Sequence, residues 1–312
     1  MTTDTTVETA TTTTIHPESL EAIQLITSTD ATVAKKLPQT KQCPNKIKDW
    51  HDISNTVKID DATGHITLLD LGAGGRIRKL PAEAFNKLPK LKTLNLGGTD
   101  LPIDSIIAVL RACPSLEHVY LGGNGIGSAG MKQLCEQVLM RNNIIEKLDV
   151  RYNDIGPDGC EALADLVFLS SSNCSSSCGT RCSCIRHLYL EGNDIGDRGA
   201  VALAKALKCY DQCKIQELFL GANKIGSTGA KALAESLGGV ASSKLEKLYL
   251  EGNSIGPEGA KAFEGALNRL YAGNDGEASL KKLFVDNNGI GKEGSEALGR
   301  ALRSDSMIGS IM

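Results

Sequence analysis

The chain is poor in aromatic residues, in net charge and in long apolar runs. Aromatic residues make up 4% of the sequence, Trp50 is the only tryptophan, and the formal net charge is −3. A charge so close to zero gives no basic footprint for nucleic acid, and no apolar run reaches the roughly 18 residues of a membrane-spanning helix. The first residues lack the basic region and apolar core of a secretory signal. The sequence therefore predicts a cytoplasmic protein, with the nucleus as the alternative, that binds neither nucleic acid nor membrane.

Sequence motifs of catalysis are missing as well. The chain holds no Gly-Lys-Ser/Thr phosphate loop, no His-Glu-x-x-His zinc motif and no nucleophile elbow. Its histidines are dispersed along the chain, at His16, His51, His65, His118 and His187. These absences predict a protein that is not an enzyme and has no catalytic residue, no cofactor and no metal site.

Two glycine-rich segments match the dinucleotide-binding pattern Gly-x-Gly-x-x-Gly, at 125–130 and 289–294. In both, the last two glycines belong to an Ile-Gly-x-x-Gly step that recurs along the chain, so the match needs only one additional glycine. The equivalent residue elsewhere is Asp194, Lys224 or Ser254. A dinucleotide site also needs a doubly wound sheet with a switch point. The repeat therefore explains these glycines, and we do not predict a nucleotide site.

What the sequence does contain is one unit written many times. The apolar residues that begin the units, 25 to 40 positions apart, are Leu69, Leu94, Val119, Leu148, Leu188, Leu218, Leu248 and Leu283. From Val119 onward, each is followed by an asparagine five positions later and then by Ile-Gly. A unit of this kind can bury its apolar face only against a neighbouring unit. The period therefore predicts a solenoid.

The repeated unit resembles the leucine-rich repeat, L-x-x-L-x-L-x-x-N-x-I/L, from about Ile66 to the C-terminus. The form Ile-Gly-x-x-Gly-Ala-x-x-Leu-Ala at 195–204 is similar to the ribonuclease-inhibitor subclass, in which a strand alternates with a full helix. The resemblance implies an α/β horseshoe, with a curved parallel sheet on the concave face and helices on the convex face. It implies a leucine-rich-repeat domain at 65–312, with about eight repeats and a Ser/Cys-rich insertion at 169–184.

Within one unit, the alternation of residues assigns the inner and outer faces of the strand. Leu188 and Leu190 alternate with Tyr189, so the leucines face the core and the tyrosine faces outward. Asn193 then ends the strand, where its amide can pair with backbone groups of the turn. The residues expected to form a ladder through stacked turns are Asn124, Asn153, Asn193, Asn223, Asn253 and Asn288.

The segment after each Ile-Gly step predicts a helix. Leu203, Ala204 and Leu207 follow at helical spacing, so we expect them to pack a helix onto the sheet. Small residues that allow close approach stand at Ala200, Ala230 and Ala260. N-caps of the helices are expected at Ser128, Asp197 and Ser227.

The two ends of the chain differ from its middle. Residues 60–67, together with Trp50, resemble a degenerate N-terminal cap of plant-type repeat proteins, in which Trp50 would cover the open end of the core. We expect a disordered Thr-rich tail at 1–16 and an N-terminal helix and capping region at 17–64. At the other end, 307–312 is expected to begin a further strand.

Eight of the ten cysteines fall into two groups. Cys135 and Cys160 replace the alanines of other repeats in the predicted helices, so we expect them to be buried as small apolar residues. The second group would lie along one rim, at Cys174, Cys178, Cys182, Cys184, Cys209 and Cys213. Its spacing matches no known zinc motif, and the leading interpretation is a flexible surface insertion. Bound zinc or a disulfide is the alternative.

The outward side chains of aligned strands would form columns on the concave face. The central column reads Asp70, Asn95, Tyr120, Asp149, Tyr189, Phe219, Tyr249 and Phe284. One flank is largely basic, with His118, Lys147, His187, Lys247 and Lys282, and is interrupted by Glu217; the other holds Arg151, Glu191, Glu251 and Asp286. Strands lie about 4.8 Å apart, so the aromatic residues are expected to form a continuous exposed stripe. The stripe can stabilise the sheet by stacking or bind a partner, and the two interpretations are compatible.

The leading functional interpretation is a monomeric interaction module that binds a protein or peptide on its concave face. The residues expected to bind are Tyr120, Asp149, Tyr189, Phe219, Tyr249, Phe284, Lys247 and Glu251. The alternative is a GTPase-activating or GTPase-regulating protein, because the repeats also resemble those of Ran GTPase-activating proteins, which act through loop residues of the solenoid. A third resemblance is to the repeats of NOD-like immune receptors.

Overall fold

The computed structural model describes residues 15–37, 56–72, 75–165, 184–208, 213–237, 244–272 and 280–303. Its strands form one sheet in which the spatial order follows the chain order. The strands are β1 Val57–Ile59, β2 Ile66–Asp70, β3 Thr93–Asn95, β4 His118–Tyr120, β5 Lys147–Asp149, β6 His187–Tyr189, β7 Glu217–Phe219, β8 Lys247–Tyr249 and β9 Lys282–Phe284. The pair β1 and β2 is antiparallel, and every later pair is parallel.

A helix follows each parallel strand, so the chain has the strand–helix alternation of an α/β solenoid. The helices are α1 Pro17–Thr29, α2 Ala31–Lys36, α3 Ala82–Phe85, α4 Ile103–Ala112, α5 Gly127–Gln137, α6 Gly156–Leu163, α7 Gly196–Leu207, α8 Ser227–Leu237, α9 Gly256–Ala272 and α10 Gly291–Arg303. From α5 onward, each helix packs against the helices of the adjacent repeats. The short α3 matches the spacing of only 25 residues between the first two units.

The core is a single apolar cluster that runs the length of the solenoid. Its inner edge is a ladder of strand residues, because the register places Leu188 beside Leu218 and Leu218 beside Leu248. All three leucines are fully buried, as are Ile195 and Ala200 from the turn and the helix. Burial of this continuous row of side chains supplies the main stabilisation of a structure in which each repeat touches only its neighbours.

The Ile-Gly-x-x-Gly step fits the entry into each helix. Gly196 has a φ of 62°, in the left-handed region that glycine occupies most easily. Gly199 has a different function, because a Cβ built there would overlap Cγ2 of Ile195 and lie 3.1 Å from Cβ of Cys160. The second glycine therefore lets α7 approach α6 closely. This geometry confirms that the repeat itself accounts for these glycines.

The predicted N-caps at Ser128 and Asp197 are wrong. Helices α5 and α7 begin after Ile126 and Ile195, and neither helix has a side-chain cap. Ser128 instead donates from its hydroxyl to the carbonyl of Ile155, at 2.6 Å, in the next repeat. Asp197 accepts hydrogen bonds from two backbone N–H groups of the next repeat, at 2.7 and 2.9 Å. These polar side chains satisfy a neighbouring repeat instead of their own helix. Ser227 is the first residue of α8.

At the N-terminal end, α1 and β1 border the repeats. Ala22, Ile23 and Ile26 of α1 are fully buried in the common core. The backbone N–H of Ile66 donates to the Ser19 hydroxyl at 3.3 Å, which ties α1 to β2. Residues 1–14, Trp50 and 307–312 lie outside the described residues, so the tail, the tryptophan cap and the further strand stay predictions. None of the described helices combines the length and the hydrophobicity needed to cross a membrane.

Candidate functional site

A ladder of buried asparagines fixes the turns that follow the strands. The backbone N–H of Asn193 donates to Oδ1 of Asn223 at 2.9 Å, and the N–H of Asn223 donates in the same way to Asn253. Nδ2 of Asn193 donates both to its own strand at Leu190 and back to Val150, each at 2.9 Å. The same type of link joins the other members, which are Asn124, Asn153 and Asn288. Each amide thus joins neighbouring turns, which sets the position of the strands beside them.

The central column of the concave face ends in a stack of four aromatic rings, here called the ring stack. Its members are Tyr189, Phe219, Tyr249 and Phe284, and the strand register aligns them. Successive ring centroids lie 4.2, 4.1 and 4.4 Å apart, and the rings are within 12° of parallel. The rings cover each other's faces and are half-buried. The predicted stripe is therefore continuous, but it presents mainly ring edges to solvent.

A charged pair closes the N-terminal side of the ring stack. Arg151 donates to both carboxylate oxygens of Asp149, at distances from 2.7 to 3.1 Å. The same guanidinium lies 5.4 Å from the ring centroid of Tyr189, within the range of a cation–π interaction. Burial raises the pKa of the Tyr189 phenol to about 12, so it stays a neutral hydroxyl at physiological pH. Asp149 is itself buried, which places it beneath the surface that the sequence assigned to binding.

The basic flank is interrupted by Glu217, which forms ion pairs with the residues on the two adjacent strands, His187 and Lys247. Lys247 Nζ lies 2.5 Å from Glu217 Oε1, and His187 Nδ1 lies 3.1 Å from Oε2. Burial raises the pKa of Glu217, but hydrogen bonds from Lys247 and His187 outweigh it, so the net shift is downward. The carboxylate is therefore charged at neutral pH. Lys247, predicted as a binding residue, is already paired within the sheet.

The acidic flank contains a pocket of about 370 Å³, here called the glutamate pocket. It is lined by Tyr152, Glu191, Phe219, Gly221, Ala222, Tyr249 and Glu251. Gly221 stands between the two glutamates because the three residues occupy equivalent positions in consecutive repeats. The missing side chain opens the space between the carboxylates. The pattern Glu-Gly-Glu at one repeat position was the signal in the sequence that could have located this pocket.

The carboxylate of Glu191 is the most perturbed acid in the glutamate pocket. Its Oε2 is buried and has no hydrogen-bond partner among the described residues, and the nearest cation, Arg151, lies 3.8 Å away through Nε. Burial raises the pKa of Glu191 to about 6, although a backbone hydrogen bond and Arg151 oppose the rise, and the charges of Asp149 and Glu251 add to it. Burial also raises the pKa of Glu251, with a further contribution from Asp286. The pocket thus brings two carboxyl groups together, and the only cation near them among the described side chains is Arg151, at 3.8 Å from Glu191.

The buried cysteines match the sequence prediction. Cys135 and Cys160 are fully buried in the core, and burial raises the pKa of the Cys135 thiol to about 12. Such thiols are inert apolar residues. The prediction that placed Cys213 on the rim is wrong, because Cys213 alternates with Lys214 and faces inward together with Ile215. Cys184 is half-buried, and the other rim cysteines, Cys174, Cys178, Cys182 and Cys209, lie outside the described residues.

Comparison with known proteins gives the repeats a family. The family model described as "Leucine Rich repeat" matches residues 112–135, 141–164, 181–204, 212–234 and 241–263. The chain is a leucine-rich-repeat protein. Each matched segment contains one strand and enters the helix that follows it, which agrees with the unit that the sequence period defines.

Two relatives place this leucine-rich-repeat protein near the ribonuclease-inhibitor type. "NACHT, LRR and PYD domains-containing protein 3" of Bos taurus is 34% identical over 149 residues, covering 46% of this chain and 13% of the relative. "Ribonuclease inhibitor" of Sus scrofa is 29% identical over 121 residues, covering 39% of this chain and 24% of the relative. The chain therefore spans only a minor part of either relative. Among solved structures, LegL7 from Legionella pneumophila is 21% identical, with a TM-score of 0.46, covering 71% of this chain and 67% of that one.

Proposed function

We propose that this leucine-rich-repeat protein is a non-enzymatic interaction module that binds a protein or peptide on its concave face. The observation that carries the proposal is the ring stack, four aligned aromatic side chains in the central column of that face. Tyrosine and other aromatic residues are enriched at the energetic centres of protein interfaces. Solenoids of stacked repeats use extended concave surfaces for binding, and leucine-rich-repeat proteins in general mediate protein–protein interaction.

The charges beside the ring stack support a protein partner. Lys247 and His187 stand on one flank around Glu217, and Glu191 and Glu251 stand on the other. An apolar centre between polar flanks is the arrangement of a protein interface. We propose Tyr189, Phe219, Tyr249 and Phe284 as the contact centre, with Lys247 and Glu251 at its edges. Tyr120, two strands before the stack, would extend the surface, and Asp149, one strand before it, would contribute from below by holding Arg151.

The first experiment locates the surface by crosslinking. We would replace Phe219 with the photoreactive p-benzoylphenylalanine and use the same replacement at Lys231, exposed on α8, as the matched control. A partner that crosslinks through position 219 and not through position 231 would then be purified for direct binding measurements. A GTP-hydrolysis assay with small GTPases runs in parallel, because GTPase regulation is the alternative prediction.

With the purified partner, Phe219→Ala and Tyr249→Ala are each expected to weaken binding by about 2 kcal/mol, the scale of an interface hot spot. Lys247→Glu should mainly change the association rate and its salt dependence, because charge at an edge steers encounter. Lys231→Glu should leave the affinity unchanged. Far-UV circular dichroism must first establish that each variant folds. Full affinity in a folded Tyr189, Phe219 and Tyr249 triple alanine variant would place the binding surface elsewhere. The cytoplasmic location and the monomeric state remain predictions.

A further inference from the structure

We infer that the glutamate pocket receives one arginine side chain of the partner protein, with the guanidinium between Glu191 and Glu251 and the aliphatic stem against Phe219 and Tyr249. This inference rests on the proposed function, because it assumes that the concave face meets a partner. It specifies the chemistry of that partner as a protruding basic side chain. Three features of the pocket carry the inference: an opening, two carboxylates and an apolar lining.

The opening exists because position 221 has no side chain. A Cβ built on Gly221 would lie 3.3 Å from the backbone oxygen of Glu251, 3.5 Å from Cγ of Glu191 and 4.0 Å from Oε2 of Glu251. The φ of Gly221 lies outside the left-handed region, in contrast with Gly192 and Gly252 in the adjacent turns. The backbone of Gly221 would therefore accept other residues. The specific effect of glycine here is the space that it leaves between two acids.

The two carboxylates leave binding capacity for a cation. Arg151 is held by Asp149 through hydrogen bonds of 2.7 to 3.1 Å, and it lies beyond hydrogen-bond distance from Glu191. A carboxylate accepts several hydrogen bonds, yet Oε2 of Glu191 accepts none from the described residues. A guanidinium offers five N–H donors in a planar fork, which can reach carboxylates on both sides of the gap.

The apolar lining accommodates the rest of an arginine side chain. Phe219 and Tyr249 contribute ring edges and Ala222 contributes a methyl group. Arginine commonly packs its methylene stem along apolar surface while its head reaches polar groups. Guanidinium is also more weakly hydrated than ammonium, which reduces the cost of partial burial. An opening lined in this way favours a long cationic side chain over a small metal cation or a short polar group.

The pocket can be tested without knowing the partner. The probe is the peptide acetyl-Gly-Arg-Gly-amide, titrated into the full chain and followed by backbone amide NMR at pH 7.5. Saturable shifts are expected at Gly221, Ala222 and Glu251. The control probe replaces arginine with citrulline, which has nearly the same shape and no charge, and it should bind at least tenfold more weakly. Equal binding of the two peptides, or no saturable shift with the arginine peptide, would overturn the inference.

Variants of the protein separate the pocket from the surrounding surface. Gly221→Leu should abolish binding of the arginine peptide, because the new side chain fills the opening. Gly122→Leu is the matched control, since Gly122 holds the equivalent position two strands before Glu191 and also has an ordinary φ. Glu191→Gln should weaken binding about tenfold while keeping the size of the side chain. Unchanged binding in Gly221→Leu would reject the pocket as the site.

The pH dependence of arginine-peptide binding gives an independent test of the pocket. Because the pKa of Glu191 is about 6, most of this carboxyl group is neutral at pH 5 and most is charged at pH 7.5. The charged groups that act on Glu191 are Arg151, which lowers its pKa, and Asp149 and Glu251, which raise it. Binding of the arginine peptide should therefore strengthen about tenfold from pH 5 to pH 7.5, and Glu191→Gln should remove most of this dependence. A dependence that persists fully in Glu191→Gln would contradict the assignment.

Failure of this inference and failure of the proposed function give different results. A partner that needs Phe219 but tolerates Glu191→Gln and Gly221→Leu would retain the concave interface and reject the arginine site. An arginine peptide that binds the pocket, combined with a partner indifferent to Phe219, would retain the site and reject the wider interface.

Discussion

At the scale of single residues, each buried asparagine amide both accepts and donates hydrogen bonds to the backbone of a neighbouring turn. The side chain of Asn223 accepts from the backbone of Asn193 and donates to the carbonyl of Leu190, both at 2.9 Å. It thereby satisfies buried polar groups of the preceding turn. Unpaired polar groups in such a place would cost more than the hydrogen bonds themselves contribute.

Replacement of Asn223 by alanine is expected to destabilise the protein by about 1–3 kcal/mol, because the buried N–H groups of Asn193 and Ile195 lose their acceptor. The measurement is urea unfolding followed by far-UV circular dichroism. Lys224→Ala is the control, since Lys224 is the adjacent residue and its side chain makes only an exposed pair with Asp194. If the two variants unfold at the same urea concentration, the amide ladder contributes nothing to stability.

The sequence predicts the structural role of a residue most reliably where that residue recurs at a fixed position of the repeat. Asn223 and Phe219 stand at fixed offsets from Leu218, so their positions in the ladder and in the ring stack followed from counting. Asp197 was misassigned because its hydrogen-bond donors come from the next repeat, about thirty positions away in sequence. Gly221 was not singled out, because the chain also uses glycine for its turns, and sequence does not distinguish a glycine that bends the chain from one that leaves space.

At the scale of secondary-structure elements, the distance between consecutive helices is set by small residues. Gly199 faces Cys160 across the α6–α7 contact, and both lie in fully packed surroundings. Ala200 and Ala230 are fully buried at equivalent positions of α7 and α8. These small residues let consecutive helices on the outer side pack closely while the strands of the sheet keep their ordinary spacing.

Gly199→Ala is expected to destabilise the protein by about 1–3 kcal/mol, because the added methyl group would overlap Ile195 in a core without spare volume. Gly299→Ala in α10 is the matched change, since nothing lies within 4 Å of its new methyl group. There, alanine should stabilise by about 0.4–1 kcal/mol through its lower unfolded-state entropy. Thermal unfolding of both variants measures the contrast, and equal shifts of the same sign would refute this explanation of the repeat glycine.

At the scale of the whole molecule, stability is expected to depend on contacts between neighbouring repeats. Leu218 and Leu248 are paired in register on adjacent strands and are fully buried. Leu94 lies on β3, five strands from β8, which carries Leu248. A linear array of repeats has interface energies only between neighbours. Its global properties therefore follow from local ones.

The corresponding prediction uses pairs of substitutions. Leu218→Ala and Leu248→Ala should each cost about 2–5 kcal/mol, and the double variant should depart from the sum by at least about 0.5 kcal/mol, because the two cavities share walls. Leu94→Ala combined with Leu248→Ala should be additive within about that same margin. Equilibrium denaturation gives all the required free energies. Coupling that is as strong for the distant pair as for the adjacent pair would contradict a nearest-neighbour solenoid.

The overall architecture was predictable because one pattern, read many times, leaves a single way to bury its apolar positions. The antiparallel strand β1 was not predicted, since Val57–Ile59 lies before the first repeat and has no periodic counterpart. The position of the ring stack followed from the repeat, but its half-burial did not, because ring orientation depends on contacts between neighbouring side chains. Repetition therefore determined the backbone more completely than it determined the surface.

The ring stack also gives the protein an optical property. Successive rings of Tyr189, Phe219 and Tyr249 lie about 4 Å apart in nearly parallel planes, so their near-ultraviolet transitions share a fixed chiral environment. Near-ultraviolet circular dichroism disappears when side chains lose fixed packing, even where secondary structure persists. With two of the chain's six tyrosines in the stack, this signal would report the order of the concave face separately from the helices behind it.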